Sequence, residues 1–197
     1  MQKFTIYGDK RSGNCLKVLY VARFLDLAHD WRDVDIMAGD TRADWFLDIN
    51  PFGQIPAVTF ADGRVLTQSN AIMLYLAEGS ALIPADGFER ARMMEWLFWE
   101  QYSHEPVIAV RRFQKHYLNK PDSEIEPALL TKGAKVLAHL EQAVTGRDWL
   151  VGDSLSLADL SLVAYTRLAE EGGFDLDAYP ALKDWIGRID AAIPLTT

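Results

Sequence analysis

Residues 57–79 read AVTFADGRVLTQSNAIMLYLAEG, and their order decides the kind of fold. Ala57–Phe60 and Arg64–Leu66 are short β-prone runs with Ala61-Asp62-Gly63 between them. Asp-Gly between two such runs is a strong hairpin signal, because glycine tolerates positive φ, so the runs are expected to pair as neighbours. Ser69-Asn70 then opens a helix through Ala71, Ile72, Leu74, Tyr75 and Leu76, and Gly79 stops it.

Upstream, Phe4–Tyr7 is another β-prone run, ended by Gly8-Asp9. From Asn14 to Leu27, apolar residues recur at helical spacing at Leu16, Leu19, Tyr20, Phe24 and Leu27. Trp31–Ile36 alternates apolar and polar residues as a half-buried strand does, and Thr41–Ile49 reads as a short helix closed by Asn50-Pro51-Phe52-Gly53. The order is β-α-β-α-β-β-α over residues 1–79. Residues 80–87, with Pro84 and Gly87, form a linker, and beyond them the β signal vanishes. Residues 88–197 are expected to be all-helical, with a long helix from Phe88 to Tyr117 kinked at Pro106 and further helices over 124–144, 156–170 and 179–192. Ser156-Leu157-Ala158-Asp159 has the form of a capping box, with Leu155 and Leu160 spaced as a hydrophobic staple.

The bulk composition narrows the function. In 197 residues, 49% hydrophobic and 24% charged are ordinary globular proportions, which excludes a disordered or fibrous chain. No apolar run reaches the roughly 20 residues of a membrane span, and the start lacks the basic-then-apolar order of a secretory signal. A single cysteine, Cys15, forms no internal disulfide and no four-cysteine zinc site, so a reducing compartment, the cytoplasm, is expected. A net charge of −8 opposes a phosphate backbone, so no nucleic acid is expected as a partner. No metal site is expected either: His29, His104, His116 and His139 show no ligand spacing.

Three loop motifs carry chemistry. Ser12-Gly13-Asn14-Cys15 lies between the first strand and the first helix, where free N–H groups and the helix dipole favour an anion. It has Cys-x-x-Cys spacing with serine in the nucleophile position. Ser12 either caps the helix or donates a hydrogen bond to a ligand's thiolate. Asn50-Pro51-Phe52-Gly53-Gln54-Ile55-Pro56 precedes a strand; Pro56 is either an ordinary trans proline or a cis one that opens the Ile55 backbone to an extended ligand. Thr67-Gln68-Ser69-Asn70 sits at a helix start, either as a plain cap or as a holder of a carboxylate and an α-amino group.

Taken in order, Tyr7-Gly8, Ser12-Gly13-Asn14-Cys15-Leu16-Lys17-Val18, Asn50–Pro56, Gln68-Ser69-Asn70-Ala71-Ile72 and Ser156–Asp159 resemble the cytosolic glutathione S-transferases of the bacterial serine type, in phi-, theta- and nu-like branches. The resemblance spans nearly the whole chain. It implies a thioredoxin-like first domain with a mixed four-stranded sheet, a helical bundle second domain, and a homodimer. It implies glutathione as co-substrate, with Ser12 stabilising its thiolate and Asn14 sharing that catalytic role. Ile55 before a cis Pro56 would pair with the cysteinyl backbone. Gln68 and Ser69 would hold the γ-glutamyl end, and Gln54 and Arg42 would face the glycyl carboxylate. Local cations Arg11, Lys17 and Arg42 would meet the anionic tripeptide.

The second substrate is implied to be a small hydrophobic electrophile, set against the long helix between the domains. Tyr102, Arg112 and Phe113 are its candidate contacts, while Trp149 and Trp185 read as packing. Cys15, second in its Cys-x-x-Cys-like spacing, points into the helix and is expected to pack. Tyr7, just before the Gly8 turn, is expected to pack as well. Gly152-Asp153-Ser154-Leu155 matches an esterase motif in letters only; without an early serine and a late Asp-x-x-His, a turn and cap explain it. The expected activity is conjugation of glutathione. Its alternatives are glutathione-dependent disulfide reduction through Ser12 and Asn14, and a non-catalytic binding module of the same fold.

Overall fold

The computed structural model describes residues 3–193. They divide into two compact units, residues 3–80 with Ile193, and Ala81–Ala192. The first unit runs β1 (Phe4–Gly8), α1 (Gly13–Phe24), β2 (His29–Asp33), a 3-10 turn (Asp40–Arg42), α2 (Asp44–Leu47), β3 (Ala57–Phe60), β4 (Val65–Thr67) and α3 (Ser69–Leu76). The sheet order is β2-β1-β3-β4; β1 and β2 are parallel, and the other pairs are antiparallel. The mixed four-stranded sheet and the Asp62-Gly63 hairpin are therefore present as read from the sequence, with Gly63 at φ 83°.

Register does the positioning. Tyr7 stands opposite Ala57, and Ala57 opposite Thr67. The chain thus leaves β1, enters β3 and leaves β4 at one end of the sheet. Strand alternation sends Phe4, Ile6 and Gly8 into the core and leaves Thr5 and Tyr7 half-buried. Phe46 of α2 packs with Val34 and Ala57, joined by Tyr7, Ile49 and Ile55. Helices α1 and α3 pack on one another.

In the first unit, two elements depart most from the sequence reading. The strand expected over 31–36 begins at His29 and ends at Asp33, pairing along β1 from Phe4↔His29 to Gly8↔Asp33. The helix expected over 41–49 is split at Ala43, which is extended at φ −72° and ψ 145°.

The second unit is helical throughout: α4 (Gly87–Trp99), α5 (Glu105–Arg112), α6 (Pro127–Val144), α7 (Leu157–Thr166) and α8 (Pro180–Ala192). The helix expected over 88–117 is helical throughout, with π turns at Glu100–His104 and Phe113–Tyr117. Pro106 sits in the first turn of α5, directly after the wider turn at Glu100–His104. Gly133 of α6 lies against Phe174: a Cβ there would stand 2.2 Å from the ring. No helix of the described residues is long and apolar enough to cross a membrane.

Candidate functional site

Because of that register, the three loop motifs rise from the same end of the sheet. Ser12 takes the N-cap position of α1, its carbonyl accepting from Cys15 N at 3.0 Å and Leu16 N at 2.9 Å. Its hydroxyl makes no capping bond to the helix. The side chain instead favours ionisation of the Cys15 thiol, and the residue is 9% exposed. The plain-cap reading of Ser12 therefore covers its backbone and not its side chain.

Cys15 is fully buried behind Ser12, and burial pushes its thiol up to about 12 despite hydrogen bonds from Asp9 and Ser12 that favour the thiolate. A thiol that stays neutral at physiological pH is a poor nucleophile, so the packing reading of Cys15 holds. Tyr7 is likewise a packing residue, its ring 6.5 Å from that of Trp45.

The second loop is braced by Asn50, which is 2% exposed. Asn50 Nδ2 donates to the Gln54 carbonyl at 2.6 Å, and Oδ1 accepts from Phe52 N at 3.2 Å. The Ile55–Pro56 bond is cis. Gly53 has φ 60°, and a Cβ on it would stand 2.5 Å from Arg42 Nη1 and 2.7 Å from the Thr41 carbonyl. Arg42 is thereby held beside the loop that carries Gln54, and both side chains are exposed. Sequence reasoning named Gln54, Ile55, Pro56 and Arg42 but assigned no role to Asn50; an amide between a hydrophobic stretch and a Pro-Phe-Gly turn was the available signal.

At the third loop, Gln68 has φ 69° and ψ 111°, outside the range a non-glycine residue adopts at low cost. Strain of this kind persists where the surroundings enforce it, and it turns the exposed Gln68 side chain just ahead of α3. Ser69 is the first residue of α3, 5% exposed. Its hydroxyl donates to Asn14 Oδ1 at 3.1 Å, joining the first loop to the third.

Two of the three expected local cations are otherwise engaged. Arg11 grips Asp9, with Nε at 3.0 Å and Nη2 at 2.7 Å from its carboxylate oxygens. Lys17 is fully buried and donates to Asn14 Oδ1 at 2.9 Å. In the helical unit, the three electrophile candidates have unlike surroundings. Tyr102 is 88% exposed. Arg112 is 3% exposed and its Nε donates to Glu171 Oε2 at 2.6 Å, so the guanidinium is spent inside its own unit. Phe113 is half-buried and stacks on Tyr117 at 5.1 Å. A cavity of about 410 Å³ between α4 and α6, walled by Trp96, Trp99 and His139, includes none of these residues.

Residues 11–78 match the glutathione S-transferase N-terminal domain, and residues 97–192 match the glutathione S-transferase C-terminal domain. The chain belongs to the glutathione S-transferase family. A glutathione S-transferase from Pseudomonas fluorescens Pf-5 shares 43% identity and superposes with a TM-score of 0.92, over 95% of this chain and 94% of that one. One from Xanthobacter autotrophicus is 41% identical with a TM-score of 0.90, over 98% and 95%. Among curated relatives, the disulfide-bond oxidoreductase YfcG of Escherichia coli is 32% identical over 86% of this chain and 83% of its own length. The first unit is thus the thioredoxin-like domain of a glutathione-binding fold, and the second its helical companion.

Proposed function

We propose that this protein binds glutathione at the loop end of its sheet, stabilises the thiolate through Ser12 and conjugates it to a small hydrophobic electrophile. The observation that carries the reading is the Ser12 hydroxyl: it stands at the N-terminus of a 12-residue helix and makes no capping bond. A sulfur arriving there meets a hydroxyl donor and the positive end of the helix dipole, both of which favour its anionic form. The Ile55 backbone beside Pro56 would pair with the cysteinyl unit, Gln68 and Ser69 would take the γ-glutamyl end, and Arg42 with Gln54 the glycyl carboxylate. Tyr102 offers the electrophile an exposed aromatic surface. A homodimer in the cytoplasm is the setting that the family resemblance implies.

A second reading, glutathione-dependent disulfide reduction, is favoured by Asn14, whose amide joins the Ser12 loop to Ser69, and by the likeness to YfcG. Ultraviolet absorbance of bound glutathione against pH, in the wild type and in Ser12→Ala, tests the common part. The substitution is expected to raise the bound thiol pKa by about 1–2 units, a ten- to hundredfold loss of thiolate near neutral pH. Binding with an unshifted pKa in the wild type would indicate a binding module, and absence of binding would remove the glutathione reading. Turnover of an aryl halide against turnover of a small disulfide separates the two activities.

A further inference from the structure

Lys17 has no exposed surface, and its Nζ stands at the junction of two of the three loops. Nζ donates to Asn14 Oδ1 at 2.9 Å, one helical turn back, and lies 3.5 Å from Ser69 Oγ, 52 residues further along the chain. Ser69 Oγ donates to the same Asn14 oxygen at 3.1 Å. Two donors, one of them a cation, converge on one atom of a carboxamide. An N–H2 group cannot receive them, so electrostatics settles the orientation of this amide: oxygen towards Lys17, N–H2 away from it.

We propose that Lys17 is a positioning residue of the glutathione site: it holds the Asn14 carboxamide with its oxygen inward, so that the amide N–H2 is presented to the cysteinyl sulfur. The inference rests on the glutathione reading above. Burying a lysine has a cost that an apolar side chain would not carry, and the bonds to Asn14 and Ser69 offset it. The field of Lys17 acts in the same sense. Lys17 favours ionisation of the neighbouring Cys15 thiol, although burial of that thiol outweighs it. A thiolate bound at the start of α1 would be favoured without that burial penalty.

The test uses the full chain and glutathione itself, with bound-thiol pKa and glutathione affinity as readouts. Lys17→Met, matched in length and uncharged, is expected to raise the bound thiol pKa by about one unit, a tenfold loss of thiolate at neutral pH. In a cycle with Asn14→Ala, most of that effect is expected to vanish, because Lys17 acts through Asn14. Asn14→Asp reads the same geometry without removing the lysine: the carboxylate still accepts from Lys17, but it presents an anion to the sulfur and should raise the thiol pKa further. It also serves if Lys17→Met does not fold. A wild type that binds glutathione and lowers its pKa, with Asn14→Asp or folded Lys17→Met leaving that pKa unchanged, would overturn the proposal for Lys17 alone. A wild type that binds no glutathione would instead overturn the functional reading on which it rests.

Discussion

Single side chains in this protein are governed by what lies behind them. Cys15 shares its four-residue loop with Ser12, yet its sulfur sits in a sealed space beside Gly8, where an added Cβ would stand 2.8 Å away. Its thiol is pushed up from 9.0 to about 12 by burial. The unfolded chain therefore loses this proton first as pH rises. Stability from this group is whole below about pH 9 and falls towards pH 12 at ~1.4 kcal/mol per unit. Alkaline denaturation of Cys15→Ala is expected to show a shallower slope than the wild type over that range, and native protein should resist thiol reagents at pH 8. Rapid labelling of the folded protein would contradict the burial that sets this pKa. Gly53 is constrained by its neighbours as much as by its positive φ. Gly53→Ala should destabilise by ~2 kcal/mol, since strain and a clash with the Thr41 carbonyl add. Displacing Arg42 should also weaken glutathione binding, which calorimetry would register as a raised Kd; an unchanged Kd would detach Arg42 from the site.

At the scale of elements, the capping motif read as Ser156–Asp159 proves to be a hub. Asp159 is buried and accepts from Ser156 N at 3.0 Å and Ser156 Oγ at 2.9 Å at the start of α7. It also accepts from Leu150 N and, at 2.9 Å, from Trp185 Nε1 on α8. One carboxylate thus ends a loop, starts a helix and anchors a neighbour. Burial raises its pKa against the pull of these donors. Asp159→Ala would leave all of them buried and unsatisfied, with an expected cost of about 3–5 kcal/mol and a lowered midpoint in thermal unfolding. A loss under 1 kcal/mol would mean that water or a shifted side chain takes its place. The capping box was legible because its signal is local, a short polar side chain three residues before an acid. The bond to Trp185 was not, because nothing in residues 26 positions apart announces a partner; the tryptophan read only as packing.

Over the whole chain, the order of elements was legible almost throughout. Helical spacing, the Asp62-Gly63 turn and the loss of β signal after residue 80 are local properties, and local physics writes them into the sequence. The long helix expected over 88–117 is realised as four consecutive segments, α, π, α and π, with Pro106 in the first turn of the second α segment. Of the site, the motif residues could be named in advance, but not what their side chains do. That Ser12 leaves its cap unfilled, that Arg11 is claimed by Asp9 and that Arg112 is claimed by Glu171 all depend on distances between groups. The net charge of −8 likewise says little about the few cations near one end of the sheet. The sequence by itself determined the strands, helices, turns and family motifs, since each is specified by residues close along the chain. Only tertiary structure decided that Tyr7, Ala57 and Thr67 stand in one row, that Lys17 is buried beneath Asn14 and Ser69, and that Cys15 remains a thiol. Those outcomes come from strand register and from close packing between residues as many as 55 positions apart, which local spacing does not encode.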